Sequence, residues 1–485
     1  MANPLKERCA GLLLHPTSLP DSQSGGCLGK KAFDFIDFLR ECGFAVWQTL
    51  PLGPTHDGRS PYQCMSVHAG NIDLICIDEL VERGWLKQDQ RFSDDALVQA
   101  RKGFECSSNE GERGAFAAFR ERHAVWLDDY ALFRAIRQTQ GEASWPEWDA
   151  ALRDRDSDAL QAFHNSHADA CEQVCFEQFV FFSQWAALRD YAHQNGIALF
   201  GDIPIFVAHD SADVWVNREL FSLDANGRPE AVAGVPPDYF SATGQRWGNP
   251  LYRWDRIMAD DFRWWLQRLH TQLEMFDILR LDHFRGFEKY WEIPASEDTA
   301  IHGRWVAAPG EALFARLQET YGELPLVAED LGTITPEVEA LRMRFDMPGM
   351  KILQFAFGGG ADNPYLPHNH VRQSVVYTGT HDNDTTLGWY RQCDDAQRSA
   401  VDGYLGHSSE PMPWPLIRAA LASVANLAVV PMQDILELGS EHRMNTPGTS
   451  ANNWIWQFDW GQVPADLAGR MRQLIYLYGR GRNRG

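Results

Sequence analysis

Short apolar runs recur along the chain near residues 11 to 15, 44 to 50, 197 to 203, 278 to 282, 324 to 329, 351 to 355, 374 to 380 and 426 to 432. Their length and continuous apolarity predict strands buried on both faces, as in a parallel sheet. Helix patterns lie between many of them, such as AFDFIDFLRECG, EQFVFFSQWAALRDYAHQNG, DDFRWWLQRLHTQLEMF, GEALFARLQETYG and TPEVEALRMRF, several closed by a glycine. Strand, helix, strand repeats imply parallel pairing. Eight strands, with the later units recurring at regular spacing, predict a closed (β/α)8 TIM barrel in the α/β class rather than a doubly wound open sheet.

The third strand comes only after a long interruption, roughly residues 75 to 170, rich in charge and helix formers. It predicts an inserted, mainly helical subdomain. The aromatic spacing in FAAFRERHAVWLDDYALF reads as the core face of a helix rather than a ligand platform. The expectation for residues 1 to 485 is therefore one decorated barrel domain.

Composition narrows the class. With 485 residues and 44% hydrophobic content the chain can bury a large core. A formal net charge of -22 argues against a nucleic acid or an anionic membrane as partner and favours a neutral substrate. Nine cysteines without regular spacing suit a reducing cytoplasm better than a disulfide framework. Cys171 and Cys175 could share a helix face, where they read as buried residues rather than metal ligands. No metal or cofactor is expected, since no Asp/Asn-rich loop has a cation-binding spacing. The amino-terminal GLLL is too brief for a signal peptide, and no uncharged run reaches the roughly 18 residues that cross a bilayer, so a soluble protein is expected.

Three carboxylates each close one of the apolar runs: Asp282 in ILRLDHFRG, Glu329 in LPLVAEDLG and Asp382 in VVYTGTHDND. In a parallel barrel all strand C-termini open on one face, so these acids would converge. An acid at a strand end is often only a helix cap, and the adjacent Asp330 and Asp384 remain free to cap while the first acid of each pair points inward. Two carboxylates can run glycoside chemistry if one stays protonated and the other ionised. Arg280 lies two positions before Asp282, on the same side of a pleated strand, and is expected to hold Asp282 ionised. Glu329 has no basic neighbour in sequence.

Aromatic content is high, with 18 Trp, 13 Tyr and 27 Phe, and most must be core. The segment PPDYFSATGQRWGNPLY, residues 236 to 252, sets Tyr239, Phe240, Trp247 and Tyr252 among turn residues, with Gly244 and Gly248 as candidate hinges. It reads as a loop that closes over a saccharide, an active-site lid. Ser60 and Tyr62 in SPYQC, Asp202 in GDIPIFV and His381 beside Asp382 are candidate sugar ligands, each with a structural alternative as a satisfied buried group or a turn cap.

The segments SPYQC, GDIPIFVAHDSADVW, PDYFSATGQRWGNPLY, LRLDHFRGFEKYW, LVAEDLGTITPEV and GTHDNDTTLGWY resemble those of the 4-alpha-glucanotransferases, also called amylomaltases or disproportionating enzymes. LLLHPTSLP, WQTLPLGPT and RMNTPGTSANNW extend the resemblance over nearly the whole chain. Cys27 in SGGCLG departs from the family pattern, away from the acids.

The resemblance implies a catalytic barrel of the alpha-amylase superfamily and a retaining double displacement on alpha-1,4-glucans. By motif position Asp282 would be the nucleophile, Glu329 the general acid and then base, and Asp382 the transition-state stabiliser. Arg280, His381, Ser60, Tyr62 and Asp202 match sugar-binding positions, and Phe240, Gln245 and Trp247 fall in the family's active-site loop. The expected partners are maltooligosaccharides or glucans derived from starch or glycogen, with glucose as acceptor. A retaining pair would stand about 5 to 5.5 Å apart. A glucan hydrolase or sugar phosphorylase using the same acids is the alternative, and a non-catalytic glucan-binding protein is a weaker one.

Overall fold

The computed structural model describes residues 3–20, 25–237, 241–449 and 451–481. Among these, twelve strands run in chain order: β1 (Cys9–Leu13), β2 (Val46–Gln48), β3 (Ala198–Ile203), β4 (Ala231–Val235), β5 (Gln245–Pro250), β6 (Ile278–Leu281), β7 (Lys289–Pro294), β8 (Arg304–Ala307), β9 (Leu326–Ala328), β10 (Gly349–Ile352), β11 (Ser374–Tyr377) and β12 (Leu427–Pro431). Eight of them pair in the order β10-β11-β12-β1-β2-β3-β6-β9, and every pairing in that sheet is parallel. The Ala328 amide donates to the Pro348 carbonyl at 2.9 Å, which joins β9 to the chain entering β10 and closes the ring.

Each apolar run read from the sequence overlaps one barrel strand. β1 and β10 each begin two residues before their runs, and β10 gives way to a 3-10 turn at Leu353–Phe355. There the buried Gln354 turns its amide to the Asp384 carbonyl, 2.8 Å away, and draws the chain out of the sheet.

Between β2 and β3 the chain forms the helices Ile77–Glu82, Ala96–Ser107, Glu110–Thr139, Ala150–Arg153, Ser157–Ser166 and Ala168–Gln194. The 30-residue helix Glu110–Thr139 starts from a capping box: Asn109 accepts from the Glu112 amide and Glu112 accepts from the Asn109 amide. Its Trp126, Tyr130 and Phe133 are buried, and Phe119 meets Phe179 and Phe182 of the antiparallel neighbour Ala168–Gln194. Cys171 and Cys175 are buried on that neighbouring helix. No helix among the described residues is long and apolar enough to cross a membrane.

The second sheet has no counterpart in the sequence reading. Its order is β5-β4-β7-β8 and all its pairings are antiparallel. β4 and β5 lie between barrel strands β3 and β6, whereas β7 and β8 lie between β6 and β9. Within 236–252, β5 is the edge strand of this sheet, and among the described residues 236–237, 241–244 and 251–252 fall outside it.

Close approach fixes some positions. A Cβ added to Gly201 in β3 would lie 2.4 Å from the Phe276 ring, which covers the outside of the barrel there. Gly201→Ala is expected to destabilise the protein by about 1 to 3 kcal/mol, because the packed ring must move. Chemical denaturation should also show non-additivity of about 1 kcal/mol or more when it is combined with Phe276→Leu. Additive losses would mean the ring is not what excludes the methyl group.

Candidate active site

Parallel pairing brings the carboxyl ends of β3, β6, β9 and β11 to one rim, and chemistry-bearing residues stand at each end. Asp202, near the end of β3, is the register partner of Arg280 in β6, so the two side chains lie next to each other across the ladder. The Arg280 Nε donates to Asp202 Oδ1 at 3.0 Å. Two residues on, Asp282 projects from the same side of the chain, and Arg280 Nη2 donates to its Oδ1 at 2.7 Å. The same Nη2 lies 3.2 Å from the Tyr62 hydroxyl.

Tyr62 links this cluster to the end of β11. Its hydroxyl donates to Asp202 Oδ2 at 2.7 Å, and His381 Nε2 stands 2.9 Å from the same oxygen. Because the single phenolic proton is committed to Asp202, the network assigns the His381 proton to Nε2. That nitrogen is also 3.3 Å from Asp382 Oδ2. The Tyr62 and His381 rings stack at 5.3 Å and 17°, with Trp454 6.0 Å from each.

Glu329 follows β9 directly. Its Oε2 accepts from the His283 amide at 2.7 Å and its Oε1 from the Leu331 amide at 3.1 Å. The residue that supplies the first of these amides is the one after Asp282, so the two carboxylates belong to adjoining peptide units of one rim. The Phe284 amide also donates to the Glu329 carbonyl at 3.1 Å. About 30% of the Asp282 side chain and 48% of the Asp382 side chain remain open, so a ligand in the cleft can reach both.

The surroundings separate the acids. Burial pushes the Glu329 carboxyl up to about 7, with Arg280 and the His283 and Leu331 amides opposing and Asp330 adding to the rise. Crowding by protein also works against ionisation of Asp382. There, however, His381, the Asn445 amide and Arg280 outweigh it and hold the acid below the usual carboxylate range. For Asp282 the expectation that Arg280 alone keeps it ionised needs correction. Burial raises its pKa, Arg280 opposes, and Asp202, Glu329 and Asp382 add to the rise. One guanidinium serves a crowd of carboxylates, so it does not by itself keep Asp282 ionised.

Several residues take other places than the sequence suggested. Ser60 lies in the turn before Tyr62, where its hydroxyl accepts weakly from the Tyr62 amide at 3.4 Å. Gln245 is exposed on β5 and accepts from Trp247 Nε1 at 3.1 Å. Trp247 reaches the rim through His283, whose ring it meets edge to face at 4.9 Å and 89°. Phe240 and Tyr239 lie outside the described residues. Asp330 and Asp384 are not caps: Asp330 accepts from the Met350 amide and pairs with Arg342, and Asp384 is held by Ser440 and Gln392. The cap of the helix Thr386–Gln392 is Thr385.

Two residues at the rim were given no role by the sequence reading. Asn445 Nδ2 donates to Asp382 Oδ1 at 2.6 Å, and Arg443 Nη2 to the Asp382 carbonyl at 2.9 Å. Both belong to RMNTPGTSANNW, whose clustered turn residues and amides were the available signal.

Comparison with known proteins bears on this rim. The sequence profile of the 4-alpha-glucanotransferase family matches residues 14–462. A 4-alpha-glucanotransferase of Thermus thermophilus is 51% identical, over 96% of this chain and 98% of its own. One from Synechocystis sp. is 47% identical, over 98% and 99%. Among solved structures, an amylomaltase from Streptococcus agalactiae in complex with acarbose superposes with a TM-score of 0.95 at 36% identity, covering 98% of this chain and all of that one. With its parallel barrel and its rim of acids, the chain belongs to the 4-alpha-glucanotransferase family of enzymes.

Proposed function

We propose that the rim carries out a retaining double displacement on alpha-1,4-glucans, with Asp282 as nucleophile, Glu329 as general acid and then base, and Asp382 as stabiliser of the transition state. The observation that carries this reading is the convergence of the acids on one rim: a half-buried Glu329, its carboxyl pushed up to about 7, accepts from the amide of the residue after Asp282, and Asp282 is gripped by Arg280 at 2.7 Å.

Glu329 gives its proton to the glycosidic oxygen as the Asp282 carboxylate attacks the anomeric carbon, forming a covalent glycosyl ester with inverted configuration. Departure of the leaving sugar empties the acceptor side. Glu329, now ionised, takes the proton from an incoming 4-hydroxyl, which attacks the ester and restores the alpha configuration. Asp382, held ionised by His381 and Asn445, meets the positive charge that grows on the ring, so its contribution is to rate rather than to ground-state binding. Tyr62, Asp202, Arg280 and His381 orient the sugar and one another, and Ser60 and Gln245 belong to the same binding surface.

A maltooligosaccharide fits this cleft better than a charged ligand, since the acids repel anions. Beside Trp454 the cleft opens into a space of about 620 Å³, lined by His15, Arg59, Asn71, Asp73 and Gln457 among others. The acarbose complex of the Streptococcus agalactiae relative supports the same ligand class. Transfer over hydrolysis requires that a sugar reach the ester before water does. Residues 236–252 are suited to that exclusion: Trp247 lies over His283, and Gly244 and Gly248 take positive φ at the two ends of the exposed stretch. Residues 75 to 170 are read as a helical subdomain inserted into the single barrel domain. A reducing cytoplasm suits the cysteine content.

Incubation of the pure protein with maltotriose tests the reading. Glucose plus longer maltooligosaccharides are expected, with no requirement for phosphate. Net hydrolysis to glucose would favour the hydrolase alternative, and phosphate dependence the phosphorylase. A glycosyl adduct should be found on Asp282 by mass spectrometry of Glu329→Gln.

Asp382→Asn is expected to lower kcat by about 10³-fold or more, as befits a group that acts on the transition state. Asn445→Ala should raise the Asp382 titration toward ordinary carboxylates, read by carboxyl 13C NMR; an unmoved titration would mean that this amide does not hold the charge. The pH profile has a definite sign. Glu329 must carry a proton to act as acid, so donor cleavage should fall as pH rises through about 7, and the residual activity of Glu329→Gln should lack that limb.

A further inference from the structure

We propose that His283 is a positioning residue: its left-handed turn aims a backbone amide at Glu329, and its ring anchors that turn against Trp247. The inference rests on the proton-transfer role read for Glu329.

His283 has φ 51° and ψ 50°, a left-handed conformation that costs a non-glycine residue energy and is kept only where the surroundings demand it. The His283 amide meets Glu329 Oε2, 2.7 Å away, and the left-handed φ and ψ carry the next amide, of Phe284, to the Glu329 carbonyl. One turn therefore holds both the side chain and the backbone of Glu329. An extended residue at this position would swing the Phe284 amide off the Glu329 carbonyl and loosen the clasp that keeps Oε2 against the His283 amide.

The ring explains why the turn is stable. It packs edge to face with Trp247 at 4.9 Å, and a Cβ at Gly286 would come within 3.1 Å of its Cδ2. Its Nε2 is buried and has no hydrogen-bond partner among the described residues, an arrangement that serves packing badly if packing is the only task. Burial, with Arg285 adding to the effect, pushes the imidazole down to about 4, so it is neutral wherever Glu329 titrates and does not itself produce a limb near pH 7.

The groups facing Glu329 are Arg280 and Asp282 from β6, Asp330 from its own strand end and Tyr365 from the segment after β10. None of them reports on the His283 turn. An amide aimed at a carboxylate favours the ionised form, so loss of that amide raises the Glu329 pKa and carries the alkaline limb of kcat upward.

The test compares His283→Val, whose branched side chain opposes the left-handed turn, with His283→Asn, which tolerates it. In maltotriose transfer the Val variant should move the alkaline limb of kcat up by about one pH unit with a tenfold or greater loss of kcat, and the Asn variant should keep the limb in place. Should the Val chain fail to fold, His283→Ala, which also disfavours the turn, is read in the same way. Limbs at the native position in both the Asn variant and the Val or Ala variant, whatever their melting temperatures, would overturn the inference. Glu329→Gln separates the two readings: if its residual transfer keeps the limb, the role of Glu329 fails; if the limb is gone there while the His283 variants do not move it, only the role of His283 fails.

Discussion

The arginine at the mouth of the barrel organises everything around it. Arg280 touches Asp202, Asp282 and the hydroxyl of Tyr62, and each contact comes from a different constraint. The first is strand register, the second is the two-residue pleat, and the third is the loop after β2 folding inward. A guanidinium can serve three oxygen partners at once because its donors lie in a fixed plane. Lysine could not. Without that cation the neighbouring carboxylates would have to take up protons or move apart, and the distinction between a gripped Asp282 and a protonated Glu329 would vanish.

Around this centre the two remaining acids are tuned by opposite means. Glu329 is surrounded by protein, which favours its neutral form against the pull of Arg280 and of two backbone amides. Asp382 is more open and is held by a protonated imidazole nitrogen and a carboxamide. Each setting also draws on a distant partner: the His283 amide on Glu329 comes from 46 residues upstream and the Asn445 amide on Asp382 from 63 residues downstream.

That distance explains what could be read in advance. The barrel strands were legible because continuous apolar runs such as LAVVP and SVVY have few other destinations, and the acids were legible because each ends such a run. β4 and β5 were not, because AVAGV and QRWGNP are short and interrupted by glycine, QRWGNP is largely polar, and β4 is completed by β7 far along the chain. Asn445 and Arg443 lie in an irregular segment with no apolar pattern to mark them, and only folding brings them to Asp382. The charge on Asp282 could not be foreseen from Arg280 alone, since it depends on three other acids that only the closed barrel brings near.

The antiparallel sheet has one more implication. Because β4 pairs with β7, the excursions that precede and follow β6 are sewn together outside the barrel, forming a bracket around the strand that bears Arg280. Such a bracket cannot assemble until both flanks have been made and the barrel strand between them is in place. During synthesis the aromatic cover over the rim is therefore a late arrival, and a backbone nick between β5 and β6 would leave the two fragments still clasped to each other.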